Sequence, residues 1–472
     1  MLTNSLHGLT VTHITRGSGD LSHGSRSRNP TTPVSTRFEL FDGPERNSAM
    51  TNNTSIDVAK RAIRTSAPIS RYRWAVLGLC WLALVLTSVD RATWGPASVF
   101  VGEDLGVPLA SLGAFATAYY IGYVLSNAGN GFLTDRLGGR AIVTASLIGA
   151  GIFMMIFGST TSVSVGIAVQ AAVGLFAGAD YAAGVKLITS WFHPEELGKA
   201  MGIFLSASSL GVVVANSTVP MLIEHFDWTT SYHLFGALSV VVGGVCWMLL
   251  RSGPVAARTA ADDSESTGAV IMTILRNRDL MLVAVAGFGG CWGTYGFLTW
   301  SNTLMIKGHS VSPSTAGFIV ALFAALGVFG KPLIGIISDH FNGARRVPAM
   351  IILGCFTITL LGFGALSSPL GFLIAAPFLG LSAYCYLPLL VALIPRLVSS
   401  HVVGSSAGIT NAFWQIGSVL VPITVGAVFA ASGKSFLAAF ATLAAGPLIA
   451  VVALCFVNER PSSVSIVVKG SA

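Results

Sequence analysis

The sequence predicts an all-α membrane protein: twelve transmembrane helices in two six-helix bundles related by pseudo-two-fold symmetry. Three observations carry that expectation. Apolar residues make up 53% of the chain and charged residues 10%, against about 25% charged in soluble domains. Twelve apolar runs are long enough to cross a bilayer, which takes about 20 residues each. A short polar motif also occurs twice, 204 residues apart: GNGFLTDRLGGR, with Gly131 and Asp135, and PLIGIISDHFNGARR, with Gly335 and Asp339. Each copy reads as a Gly-x-x-x-Asp turn followed by arginines, set between two apolar runs. A repeat of that period joins two similar bundles, the architecture of one large group of secondary transporters, with the site between the halves.

Taken in order, residues 1–70 are polar and rich in Ser, Thr, Gly and Arg. They lack the apolar stretch of a signal peptide and read as a disordered cytoplasmic tail, with Met50 as an alternative start. The N-terminal bundle, 71–250, holds spans at 74–101, 110–133, 141–159, 164–191, 200–222 and 229–250. Residues 251–279 are the one long internal connection, a polar cytoplasmic linker. The C-terminal bundle, 280–458, holds spans at 280–305, 314–337, 347–367, 370–394, 405–431 and 436–457, and 459–472 is a cytoplasmic tail. The 53 glycines are scattered through these runs, where close helix approach in lipid needs small residues.

Charge sets the orientation. With the N-terminus inside, twelve Lys and Arg fall on cytoplasmic connections and the C-terminal tail, among them Arg136, Arg140, Arg251, Arg345, Arg346 and Arg396. Only Lys307 and Lys434 fall outside. This bias is the positive-inside rule; it puts both termini in the cytoplasm of a multi-pass protein of the cell (plasma or inner) membrane. It also accounts for the net charge of +7 without a nucleic-acid partner. All six cysteines lie inside spans, away from the clustered spacing of a disulfide or zinc framework. No Ser/His/Asp or His/Glu grouping suggests hydrolysis, so the expectation is no enzyme, no metal and no cofactor.

GNGFLTDRLGGR closely resembles the signature between helices 2 and 3 of the major facilitator superfamily, and the resemblance extends over residues 72–458. The second copy is looser, with His340 and Phe341 at positions where the family has a basic and a small or apolar residue. SVDRATW at 88–94 is similar to the Tyr-x-Asp-Arg segment of the anion:cation symporter family, carriers of hexuronates, aldonates, aromatic acids and glutamate. YGFLTWSNTLM in span 7 and SSAGITNAFWQIGSVLVPITVG in span 11 resemble segments of the same family. Three positions depart from it: Ser88 stands for the usual Tyr, Ala177 for a buried Glu of span 4, and Gln170 for an Arg of that span.

Five ionisable residues fall inside spans: Asp90, Arg91, Asp180, Lys186 and Lys331. Each costs about 2.5–3.5 kcal/mol at the bilayer centre on insertion scales, so such groups pair or line a cavity. Arg91 shares a helical face with Thr87, Ser88, Gly95 and Ser98, a narrow polar stripe suited to a water-filled path. There its guanidinium can grip a carboxylate with two parallel hydrogen bonds. The alternative is a structural pair with a neighbouring helix.

Asp90 and Asp180 are the candidate proton carriers, since burial raises a carboxyl pKa and a nearby cation lowers it; balancing Arg91 is the rival role. Lys186 reads as snorkelling to the cytoplasmic interface, and Lys331 as neutralising Asp339 or the interface rather than touching substrate. The resemblance implies that Tyr123, Tyr295 and Asn411 line the cavity beside Arg91. Gly131, Asp135, Arg136, Gly139, Arg140, Asp339 and Arg345 are expected to gate, linking helix ends across the cytoplasmic face in one state and parting when the halves rock.

The expected function is a monomeric secondary transporter that imports a small organic anion, such as a sugar acid or aromatic acid, with protons by alternating access. The rival is a proton-coupled drug or metabolite exporter of the same superfamily. Such exporters carry a Gly-Pro-rich motif in span 5, where this chain has only Gly202, Gly211 and a late Pro220. An organophosphate:phosphate antiporter is expected to carry a second arginine in span 7, which has no basic residue before Lys307.

Overall fold

The computed structural model describes residues 71–192, 194–253, 272, 274–340, 345–398 and 403–458. The tail at 1–70, most of the linker and the tail from 459 lie outside the described residues. The N-terminal half comprises α1 (Tyr72–Asp104), α2 (Gly113–Leu137), α3 (Gly139–Gly158), α4 (Val163–Ala177), α5 (Asp180–Trp191), α6 (Pro194–His225) and α7 (Trp228–Leu249). The C-terminal half comprises α8 (Arg278–His309), α9 (Pro313–His340), α10 (Arg346–Ala365), α11 (Pro369–Leu397), α12 (Val403–Ala431) and α13 (Phe436–Cys455). Because α4 and α5 form a single span broken at Gly178–Ala179, these helices make twelve membrane-crossing segments among the described residues.

Apolar composition makes these helices, and polar residues cap the starts of several of them. Asp227 caps α7 by accepting from the Thr230 amide at 2.9 Å; Asn277, Ser368 and Ser435 cap α8, α11 and α13 through the amides of Leu280, Gly371 and Ala438. Each satisfies an amide that the first helical turn leaves without a partner. The Thr229 hydroxyl and then the Thr230 amide, donating to Asp227, hold its carboxyl below the usual carboxylate range. Large side chains such as Phe329, Ile358 and Leu125 are exposed, as expected of surfaces that meet lipid rather than water.

The two halves meet along two matching seams: α2 packs along α12, and α6 packs along α9. These are the second and eleventh spans and the fifth and eighth, pairs that a two-fold axis between the halves exchanges. A third contact brings α1 against α8 on the axis itself.

One boundary differs from the sequence expectation. The first copied motif is not a turn from Gly131 to Arg140: α2 continues through Leu137 and stops only at Gly138, whose φ of +83° suits glycine. The second copy is likewise helical through His340. A polar helix end emerging from the apolar layer keeps its intrahelical hydrogen bonds, so charge alone does not terminate it.

Candidate functional site

The site is built around Arg91, midway along α1 and facing the axis between the halves. Its guanidinium carbon lies 5.4 Å from the centre of the Tyr295 ring on α8 and 6.0 Å from that of Tyr123 on α2, within the cation–π range. Tyr120 meets Tyr295 across the interface at 5.4 Å, while Tyr119 stacks on Tyr123 at 6.2 Å. Gln170, Asn216 and Thr299 complete a cavity of about 20 Å³, room for about one water molecule. Any larger occupant requires the rings around Arg91 to move apart. Arg91 Nε and the Tyr119 hydroxyl are buried with no hydrogen-bond partner among the described residues. Buried donors in that condition call for an explanation, and a ligand carboxylate would supply the acceptor.

The two acids occupy a separate place. Asp90 follows Val89 into the N-terminal bundle, 4% exposed, and accepts from Ser239 of α7 at 3.4 Å. Asp180, the first residue of α5 and fully buried, accepts from Thr87 of α1 at 3.2 Å, and its Oδ1 has no partner among the described residues. Asp90 and Thr87, the partner of Asp180, lie three residues apart on α1. Neighbouring residues on a helix diverge by about 100°, which turns Asp90 away from Arg91. Asp90 thus forms no direct ion pair with Arg91 among the described residues.

The polar stripe on α1 is also not a water path. Thr87, Ser88 and Ser98 are 5%, 2% and 1% exposed. Thr87 reaches Asp180, and Ser98 bonds Thr303 of α8 at 2.7 Å. Small residues let helices close on one another in lipid, so this face is packed at Thr87, Ser88 and Ser98, and it opens on the cavity from Arg91 to Gly95.

Tyr123 and Tyr295 face Arg91 but, like Asn411, which is part-buried on α12, are not among the residues lining the cavity. Gly131 and Asp135 lie within α2 and Asp339 within α9, but the side chains of both acids fall outside the described residues. Arg136 is exposed in the last turn of α2. Gly139 opens α3 so close to α5 that an added Cβ would sit 2.7 Å from Leu187. Arg140 lies over Trp247 of α7 at 4.6 Å. Arg345 precedes α10, and the adjacent Arg346 donates to the last carbonyls of α13, at Leu454 (2.8 Å) and Cys455 (2.5 Å). Lys186 donates to the Thr134 carbonyl at 3.1 Å near the end of α2, where a cation suits the helix dipole. This is the structural role expected of it.

Lys331 departs from expectation. Its ammonium donates to Ser208 of α6 at 3.1 Å and lies 4.8 Å from the centre of the Tyr384 ring on α11. It therefore crosses the seam between the halves. Sequence proximity to the second copied motif suggested Asp339 as its partner, but Asp339 lies eight residues on, about 12 Å along the helix axis.

Polar bonds between the halves gather at the end carrying Glu103. There Lys307 pairs with Glu103, Ser314 bonds Glu224, Asn302 donates to Asn216 at 2.9 Å, and Thr117 donates to the Val419 carbonyl at 2.9 Å. Trp300, within the span-7 segment, is buried and donates to the Pro422 carbonyl of α12 at 2.9 Å, a packing role.

Comparison with known proteins bears on the fold. A family model for the Major Facilitator Superfamily matches residues 80–422, with a further match at 302–470. The chain is 26% identical over 417 residues to a probable galactarate/D-glucarate transporter of Bacillus subtilis, covering 80% of this chain and 90% of that one. It is 22% identical over 416 residues to a D-galactonate transporter of Escherichia coli, covering 81% and 95%. A hexuronate transporter of Bacillus subtilis is 23% identical over 411 residues, covering 82% and 95%. Among solved structures, an inward-facing, occupied bacterial homolog of the human lysosomal transporter Spinster superposes with a TM-score of 0.68 at 17% identity, covering 82% and 96%.

Proposed function

The chain belongs to the major facilitator superfamily, and within it we propose a secondary carrier that imports a sugar-acid anion together with protons. The observation that carries this reading is Arg91: a guanidinium set between the two halves, walled by tyrosines of both, with a buried donor left without an acceptor. A fixed positive charge on the axis favours an anionic cargo and disfavours a cationic one. The three relatives above, each named as a sugar-acid transporter, support the same substrate class.

Asp90 and Asp180 supply the proton side of the cycle. Both carboxyls are buried beside α1, the helix that carries Arg91, so protonation there and occupancy at Arg91 share one mobile element. By the charge bias the Glu103 end faces outward, which makes the bonded seam an outer gate in its closed position. The ends of α2 and α9, followed in the chain by Arg140 and by Arg345 and Arg346, are then the inner gate, and Asp135 and Asp339 act in it. Alternation of the two gates around Arg91 moves the anion across.

The test is transport by the full-length chain in liposomes, with labelled galactarate, galactonate and a hexuronate offered under an inside-alkaline gradient. Accumulation of at least one acid that collapses when the gradient is dissipated is the expected result. Failure to take up all three, or uptake indifferent to the proton gradient, overturns the assignment.

A further inference from the structure

Lys331 and Arg91 together place two cations at the seam without a matching acid among the described residues. Lys331 sits on α9 of the C-terminal half, partly buried, and is held by a hydroxyl and an aromatic ring rather than a carboxylate. The helix that carries Arg91, α1, touches α9, the helix that carries Lys331. Tyr384 itself is buried, and its hydroxyl has no partner among the described residues.

The census of acids sharpens this. Between residues 280 and 458 the sequence holds a single acidic residue, Asp339, about 12 Å along α9 from Lys331. The buried acids of the other half, Asp90 and Asp180, are bonded to Ser239 and Thr87 inside their own bundle. Two like charges in a medium of low dielectric repel, and uncompensated intramembrane cations point to a ligand or an ion path. A cargo with two negative charges balances both. It also replaces the neutral Ser208 acceptor of Lys331 with a carboxylate, so that both partners of the hydrogen bond are charged.

We propose that Lys331, with the Tyr384 hydroxyl beside it, holds a second carboxylate of the cargo, so that the preferred substrate is a dicarboxylic sugar acid spanning the two halves from Arg91 to Lys331. This rests on the sugar-acid reading above and goes beyond it in naming the charge of the substrate and the residue that selects it. A monocarboxylic acid engages Arg91 alone and leaves Lys331 on Ser208.

The test compares galactarate with galactonate, acids of equal carbon number that differ in one terminal carboxylate, by equilibrium binding to the purified full-length chain. Wild type binds the diacid more tightly, and Lys331→Gln narrows the diacid-to-monoacid affinity ratio by about tenfold or more, the worth of a charge-assisted contact. Lys331→Arg retains most of the preference. Lys331→Met serves as a second neutral variant should the first fail to fold, with thermal unfolding as the control.

An unchanged ratio in the neutral variants, with both acids bound by wild type, overturns the role of Lys331 and leaves the sugar-acid reading standing. So does a wild type that binds only the monoacid. A wild type that binds neither acid overturns the role of Lys331, and one that binds no hexuronate either overturns both.

Discussion

Replacing Asp180 by Asn separates coupling from transport. The side chain is fully buried, accepts one hydrogen bond from Thr87 at 3.2 Å and leaves Oδ1 without a partner among the described residues. An amide of the same shape can accept from Thr87 but cannot carry a proton at physiological pH. Each proton moved with the cargo raises the limiting accumulation tenfold per pH unit, since one unit is worth about 1.36 kcal/mol. Under an imposed difference of about two units, one coupled proton thus supports roughly 100-fold accumulation. The variant is expected to fall toward no accumulation while still exchanging labelled for unlabelled substrate across equal concentrations. Steady-state uptake and counterflow in the same liposomes measure the two quantities. Asp90→Asn, run in parallel, tells which carboxyl carries the proton. Wild-type accumulation in both single variants and in the double variant would refute the reasoning.

Two further changes probe the gates. Asp135→Asn and Asp339→Asn should each slow the transport cycle while the protein still inserts and binds; undiminished uptake by both at matched expression removes the inner-gate role. At the outer gate, a Cβ added at Gly95 would lie 2.8 Å from the Leu298 carbonyl oxygen and 3.2 Å from Asn302. Gly95→Leu is therefore expected to disfavour the closed outer seam by about 1–3 kcal/mol, the usual cost of overpacking. Faster labelling of a Ser98→Cys reporter by an impermeant thiol reagent would register that shift, and unchanged labelling would contradict it.

What could be read from the sequence followed the physics that acts locally. Hydropathy and length are properties of a single segment, so the spans and their order were legible, as was the duplicated motif. Arg91 was legible for a related reason: a permanent charge in an apolar run demands an explanation wherever its helix packs. Lys331 raised the same question, but its answer depends on which helices α9 touches. Ser208 and Tyr384 are 123 and 53 residues away in the chain, and nothing local announces them. Tyr119 and Tyr120 were hidden among aromatics that more commonly pack; what singles them out is the approach of Tyr295 from the other half. The direction of Asp90 was likewise invisible, because its Ser239 partner lies 149 residues away in the chain.

The central claim is that Arg91 grips the carboxylate of the cargo, and the affinity of the Arg91→Lys variant tests it most directly. Lysine keeps the charge and the contact with the Tyr123 and Tyr295 rings but loses the planar fork that binds a carboxylate through two nitrogens. Losing a charge-assisted hydrogen bond costs about 1.5–3 kcal/mol, which corresponds to roughly 10- to 150-fold weaker binding. Equilibrium binding of the sugar acid that wild type holds best, measured on wild type and variant of equal thermal stability, should show a loss in that range. Affinity unchanged by the substitution would contradict the account.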